Sequence, residues 1–292
     1  MSPSLEFDVV DVFARTPFEG NPLAVVLGAE GLDTGQMQRL AREFNLSETA
    51  FPLAPADAER ARGVDYRLRI FTPLTELPFA GHPSVGAAWL LAQRGVVRPG
   101  RVVQACGAGD LPLEVSPDGG PVTLTGGTPH TRPAADVEEL VAAVGLTRDD
   151  VVGTPGVAGT GVDFTHVPVT AKALSRAEPD LRVLHAVGSV HLFVWTTPGG
   201  PDPVRTRMFA PDLGVPEDPA TGSAALGLAV HAVATGLLPA DGTSRFTARQ
   251  GVEMGRPSTL HLEVDAARGV ATSARVSGDV VRVSAGRIAV PA

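Results

Sequence analysis

The stretch RMFAPDLGVPEDPATGSAALGLAVHAVATG, Arg207 to Gly236, decides the reading of the fold. Slid back by 138 residues, it lies over FTPLTELPFAGHPSVGAA, Phe71 to Ala88. Phe209 falls on Phe71, Pro211 on Pro73, Pro216 on Pro78 and Ala225 on Ala87, and Asp218 meets Ala80. These identities are few, but the layout is shared. A strand-like run leads into a proline-rich turn and a glycine. A helix of small and apolar residues then stops at Gly95 in the first copy and Gly236 in the second. GNPLAVV, from Gly20, is loosely echoed by GSVHLFV, from Gly188. The chain reads as two similar halves related by a pseudo-twofold, and a cleft between them is expected.

Outward from these stretches the elements are short. FDVVDVF (Phe7–Phe13) alternates apolar and acidic residues, as a half-exposed strand does, and LAVVLG is a short buried strand. The clearest helix runs from about Gly35 to Phe44, because Met37, Leu40, Ala41 and Phe44 share one face. Asp33 and Gln36 form a capping box at its start. Ser47 and Glu48 then lead into TAFPL, and YRLRIF (Tyr66–Phe71) alternates strictly. Pro83 fits the first position of a buried helix ending at Arg94. GGTPHTRPAAD, Gly126–Asp136, reads as a linker. Beyond it lie a short helix (VEELVAAVG), strands at His166–Val169 and His191–Thr196, and a helical segment near Ala171–Ala177.

The chain has 292 residues, 43% of them hydrophobic and 19% charged, a globular composition large enough for two domains. With 24 basic and 32 acidic residues its net charge is −8, which disfavours nucleic acid and anionic membranes as partners. No run of apolar residues is long enough to span a membrane, and MSPSLEFDVV lacks the pattern of a signal peptide. A single cysteine, Cys106, permits no intramolecular disulfide and fits a reducing, cytoplasmic setting. Lys172 is the only lysine, which argues against Schiff-base chemistry.

The chemistry sits at the two repeated turns. A helix N-terminus presents unpaired amide protons and about half a positive charge, so two such starts suit a carboxylate or an enolate-like anion. Around them lie Ser47, Glu48, His82, Asp218, Thr221 and Ser223. Proton abstraction beside a carbonyl needs a base, an acid and anion stabilisation. An enclosed Glu48 would have its pKa raised into a useful range, while His82 and Asp218 would orient the substrate or relay protons. Each residue also has a plain structural role open to it. Glu48 could be a solvated loop carboxylate, and His82, Asp218 and Ser223 could be helix caps. Arg207 and Arg256 read as surface or structural residues. His185 and His191 have no third ligand nearby, so no metal site is read. No phosphate loop, HExxH motif or nucleophile elbow is present.

As a set, five blocks resemble the PhzF-like phenazine-biosynthesis isomerases, within the wider diaminopimelate epimerase-like fold. They are FxGNPLAVV (Phe18–Val26), NLSETAF (Asn45–Phe51), PFAGHPSVGAA (Pro78–Ala88), EDPATGSA (Glu217–Ala224) and QGVEMGRPS (Gln250–Ser258). The resemblance implies an α/β (α+β) fold of two pseudo-symmetric domains, each a curled, mostly antiparallel sheet around a central helix. It also implies a last strand that returns to the first domain, giving domains at 1–126 plus about 278–292, and 127–277. It implies a homodimer and proton-shifting acid/base catalysis without cofactors. Glu48 matches the family's catalytic glutamate. Ser47, His82, Asp218 and Ser223 match its substrate-binding side chains, and Gly81 and Gly222 its glycine amides. The epimerase branch uses a thiol pair. Its first member would fall near Ala80, and Cys106 lies outside both turns, so that branch is set aside.

Two main readings of function follow, with a third behind them. One is a cofactor-independent isomerase acting on a small carboxylate-bearing substrate, with Glu48, His82 and Asp218 catalytic and Ser47, Gly81, Gly222 and Ser223 binding. The other is a non-catalytic ligand-binding or protein-interaction module on the same scaffold. A hydrolase or lyase in the same cleft is a third.

Overall fold

Local sequence accounts for the first helix. In a computed structural model, which describes residues 3–197, 203–211 and 214–292, α1 spans Thr34–Phe44. Asp33 accepts from the Gln36 amide, and the Gln36 side chain accepts from the Asp33 amide, completing the capping box. Asn45 ends the helix in the left-handed region at φ 50°. Met37, Leu40 and Ala41 face inward and pack with Val26, Phe51 and Phe71.

The chain divides into two compact units, one formed by residues through Leu124 with Ser277–Ala292, the other by Thr125–Val276. In the first, β1 (Ser4–Val12) and β2 (Asn21–Leu27) are antiparallel. β3 (Glu48–Leu53) lies parallel to β2, with Glu48 opposite Leu23. A single turn of helix, α2 (Asp57–Arg60), precedes β4 (Tyr66–Phe71), which is antiparallel to β3 and to the short β5 (Glu76–Leu77). α3 (Gly81–Gln93) follows and packs against β1, β2 and β3. β6 (Gly100–Cys106) is parallel to β4, and β7 (Gly109–Val115) and β8 (Val122–Thr125) complete the run antiparallel. α3 also packs against β7, so the strands wrap a central helix.

The second unit repeats that order after one added strand, β9 (His130–Pro133), antiparallel to β10 (Gly156–Gly159). α4 (Val137–Ala142) lies between them in the chain. β11 (Asp163–Pro168) is antiparallel to β10. α5 (Ala171–Arg176) and α6 (Leu181–Val187) lead to β12 (Val190–Val194), parallel to β11. β13 (Val204–Ala210) is antiparallel to β12 and to β14 (Val215–Asp218). α7 (Gly222–Ala234) is the central helix, packed on β9, β10 and β11. β15 (Gly242–Gln250) is parallel to β13 and antiparallel to β16 (Ser258–Ala267), which also packs on α7. β17 (Val270–Gly278) follows, and β18 (Val280–Ala289) returns to the first unit as the antiparallel neighbour of β1. Asp8 of β1 is fully buried there between Arg94, at 2.6 Å, and Arg282 of β18, also at 2.6 Å.

The repeat is real, and three details of its reading change. The strands β4 and β13 match at an offset of 138, through Phe71 and Phe209, whereas α3 and α7 match at 141, through Gly81 and Gly222. The second turn therefore holds three more residues, and the alignment of Ala225 with Ala87 is coincidental. Asp212 and Leu213 of that turn lie outside the described residues. GNPLAVV is on β2, whereas GSVHLFV forms β12, the counterpart of β3, so that echo joins non-equivalent strands. The expected linker carries β9 and belongs to the second sheet.

Each central helix has a glycine at its sixth position, Gly86 and Gly227. A Cβ on Gly86 would lie 2.7 Å from Leu23 Cδ2 and 2.8 Å from Val12 Cγ2. One on Gly227 would lie 2.7 Å from the Ala158 carbonyl oxygen and 2.7 Å from His166 Nε2. Glycine is what lets each sheet close on its helix. Among the described residues no helix is long and apolar enough to cross a membrane.

Candidate active site

Both central helices start without a side-chain cap. α3 begins at Gly81 with Ala80 as its N-cap, two residues earlier than Pro83 suggests. Pro83 still wastes no bond, because the first four amides of a helix have no intrahelical acceptor. His82 is therefore the second helical residue and not the cap. In α7 the N-cap is Thr221, and its hydroxyl is turned to Asp218 instead of to the helix. Gly81 and Gly222 open the two helices and both are buried.

In the first unit, Glu48 is the first residue of β3 and only 9% exposed, so it is no solvated loop carboxylate. Its Oε2 lies 3.6 Å from His82 Nδ1. His82 is 4% exposed. Burial pushes its pKa down to about 3, against a smaller opposing pull from the Pro22 carbonyl. The imidazole is thus neutral at neutral pH, and its contact with Glu48 is no ion pair. Nε2 of His82 is buried and has no hydrogen-bond partner among the described residues.

Asn21 joins the cluster. Its Oδ1 accepts from the Ser47 hydroxyl at 3.0 Å, and its Nδ2 lies 3.3 Å from His82 Nδ1. Sequence reasoning missed Asn21 as a site residue, although it stands inside the FxGNPLAVV block. β2 carries Asn21, the loop before β3 carries Ser47, and the parallel pairing of these strands brings both beside the start of α3.

In the second unit, Asp218 ends β14 and is 9% exposed. The Thr221 hydroxyl donates to its Oδ2 at 2.5 Å. The neighbouring Glu217 is clamped by Arg207, with Nε and Nη2 at 2.8 and 2.9 Å from its two oxygens. Arg207 is buried, so of its surface and structural readings the structural one holds. It also donates to the Leu174 and Ala177 carbonyls at 3.0 and 2.8 Å, and its guanidinium covers the Phe209 ring. The charge is satisfied inside the unit and fastens the Asp218 turn to β13. Ser223 is the second residue of α7 and half-buried.

Cys106 ends β6, half-buried, with its thiol donating weakly to the Gly109 carbonyl at 3.5 Å. Burial pushes its pKa up, which makes it a poor nucleophile. His191 does find a neighbouring histidine, though not His185: its Nδ1 lies 2.9 Å from Nδ1 of His166, which stacks on His231. Among the described residues no group of three His, Cys, Asp or Glu side chains is arranged to hold a metal ion.

Two α+β units with one strand order, each curling a mostly antiparallel sheet round a helix that opens uncapped on a glycine, define the class of protein. The chain belongs to the phenazine biosynthesis-like protein family, whose model matches residues 10–286. It is 37% identical to an uncharacterized isomerase of Mesorhizobium japonicum, over 95% of this chain and 96% of that protein. It is 36% identical to the trans-2,3-dihydro-3-hydroxyanthranilate isomerase of Pseudomonas aeruginosa, over 96% of this chain and 97% of that enzyme. The crystal structure of a PhzF-family phenazine biosynthesis protein from Bacillus anthracis superposes with a TM-score of 0.86 at 25% identity, covering 98% and 99% of the two chains. The chain is an isomerase of this family.

Proposed function

We propose that the enzyme moves a proton between two carbons of a small carboxylate-bearing substrate by general acid/base catalysis, without a cofactor. Glu48 takes a proton from a carbon made acidic by conjugation, leaving an enolate-like anion and a neutral Glu48 carboxyl group. Glu48 then returns the proton to a second carbon of the same conjugated system, so the reaction is a net rearrangement. His82, neutral and buried, positions and polarises the substrate without adding a charge that would lower the basicity of Glu48. Asp218 serves with it as a polar orienting group. Gly81 and Gly222, each opening an uncapped helix, and the hydroxyls of Ser47 and Ser223 are the proposed substrate-binding groups. A cytoplasmic homodimer is the setting this reading carries.

The observation that carries the proposal is the pairing of a buried carboxylate with a neutral imidazole at 3.6 Å. Exclusion of water from such a pair strengthens each interaction in it. The substrate class rests on the relative that isomerises trans-2,3-dihydro-3-hydroxyanthranilate, an unsaturated ring acid with an acidifiable carbon. Proton NMR in heavy water tests it. Wild-type protein is incubated with that compound and with a panel of small unsaturated acids, beside Glu48→Gln. Deuterium entering carbon positions with wild type only is the expected result. Equal exchange in both proteins would remove Glu48 as the base.

A further inference from the structure

We infer that Gln250 is a positioning residue that sets the Asp218 carboxylate for the reaction, acting through Thr221. This rests on the proposed role of Asp218. Gln250 ends β15, is 1% exposed, and reaches the turn between β14 and α7 from the side. Its Nε2 donates to the Asp218 carbonyl at 2.7 Å and to Thr221 Oγ1 at 3.0 Å. Its Oε1 accepts from the Thr221 amide at 3.3 Å and from the Thr206 hydroxyl at 3.5 Å. These partners fix the amide's orientation. A carbonyl can only accept and a backbone N–H can only donate, so Nε2 must face Asp218 and Oε1 must face Thr221.

The consequence reaches the carboxylate. Because Thr221 Oγ1 accepts from Gln250, its own proton is directed elsewhere, and it points to Asp218 Oδ2 at 2.5 Å. Backbone closeness supports the clasp independently. Gly251 adopts φ +72°, and a Cβ there would lie 2.7 Å from the Pro219 carbonyl oxygen. Only glycine lets the end of β15 press directly on the residue after Asp218.

The first unit uses the same device on its own helix start. Gln104, on the corresponding strand β6 and fully buried, accepts from the Tyr66 hydroxyl at 2.9 Å and donates to Ser84 Oγ at 3.0 Å. Ser84 Oγ then donates to the Ala80 carbonyl at 2.9 Å, the residue before Gly81. In both units a buried glutamine on the strand after the central helix holds the turn before that helix. Neither helix has a side-chain cap, so the clasp does the fixing that a cap would otherwise do.

The test is steady-state kinetics on trans-2,3-dihydro-3-hydroxyanthranilate with wild type, Gln250→Met, Thr221→Val and Thr221→Ser, and with Gln250→Met added to Asp218→Asn. Gln250→Met and Thr221→Val are each expected to lower kcat about 10- to 100-fold, with KM changing less than about threefold. Thr221→Ser keeps the hydroxyl and should stay within about threefold of wild type. In the Asp218→Asn background, Gln250→Met should cost little more, because its effect runs through the carboxylate already lost. Unchanged kcat in Thr221→Val, or an undiminished effect of Gln250→Met in the Asp218→Asn background, would overturn the positioning role alone. Should Gln250→Met fail to fold, the two Thr221 variants decide the matter. A wild type inactive on this compound and on the acid panel would instead remove the proposed proton transfer, and the positioning role with it.

Discussion

Glu48 and His82 stand with carboxylate and imidazole 3.6 Å apart, and the histidine beside the carboxylate is uncharged. Two effects compete at His82. A hydrogen bond to the Pro22 carbonyl favours the imidazolium, whereas burial disfavours it, and burial prevails. A neutral partner leaves Glu48 its basicity. Glu48→Gln keeps the shape and removes the base, so turnover should fall about 10²- to 10⁴-fold, with the thermal midpoint little changed. Turnover within about tenfold of wild type would assign the base elsewhere.

Gly86 and Gly227 hold the same place in α3 and α7 but face different neighbours. Alanine at either gains helix propensity, about 1 kcal/mol. At Gly86 the new methyl meets the ends of Leu23 and Val12, which can turn aside. At Gly227 it meets the backbone carbonyl of Ala158, which cannot. Gly86→Ala should therefore cost no more than about 1–2 kcal/mol, and Gly227→Ala about 3 kcal/mol or more. Urea unfolding of both variants checks the order. The reverse order would show that the first sheet is the more rigid.

How far the sequence alone reaches follows from the range of each interaction. The capping box of Asp33 and Gln36 is made within four residues and is legible. So are the two small-residue helices, because no other element tolerates glycine and alanine wedged against a sheet. β9 is not legible. Its residues, His130–Pro133, are all exposed and flanked by turn formers, and only pairing with β10 makes them a strand. The motif blocks contain Glu48, His82 and Asp218. Asn21 and Gln250 stand in the blocks too, but their roles depend on partners 61 and 29 residues away, at His82 and Thr221. Local spacing carries no trace of such distances.

Asp8 makes a test of the returning strand. Its carboxylate is buried and holds Arg94 beyond the end of α3 and Arg282 on β18. Those side chains are 30% and 52% exposed, so either guanidinium can rehydrate when released, whereas the carboxylate cannot. Arg94→Ala or Arg282→Ala alone leaves one partner and should cost about 1 kcal/mol, the exposed-pair range. The double variant strands a buried charge and should cost more than the sum, about 3–5 kcal/mol. Adding Asp8→Asn to the double variant should recover part of that loss. Additive single effects, measured by urea unfolding, would show that Asp8 is neutralised by something other than these two arginines.

Acid should weaken the second unit through its three buried histidines. Burial, with a smaller push from His231, lowers His191 to about 3, and burial lowers His231 to about 4 against the Thr154 backbone. Burial and the two neighbouring rings hold His166 well below its ordinary value. In the unfolded chain all three titrate near 6.5. Below about pH 6.5 the unfolded chain binds protons that the folded unit refuses, so their contribution is complete above that pH. It is lost progressively as pH falls toward 4 and 3. Each histidine adds a slope of about 1.4 kcal/mol per pH unit. The window between about pH 6.5 and 5 separates them from the carboxylates, which titrate lower. Urea unfolding followed by Trp195 fluorescence reads this unit alone once Trp89, the other of the two tryptophans, is replaced by Phe. His231→Phe in that background should reduce the slope in this window by about one proton's worth. An unchanged slope would mean that His231 is protonated in the folded unit despite its burial.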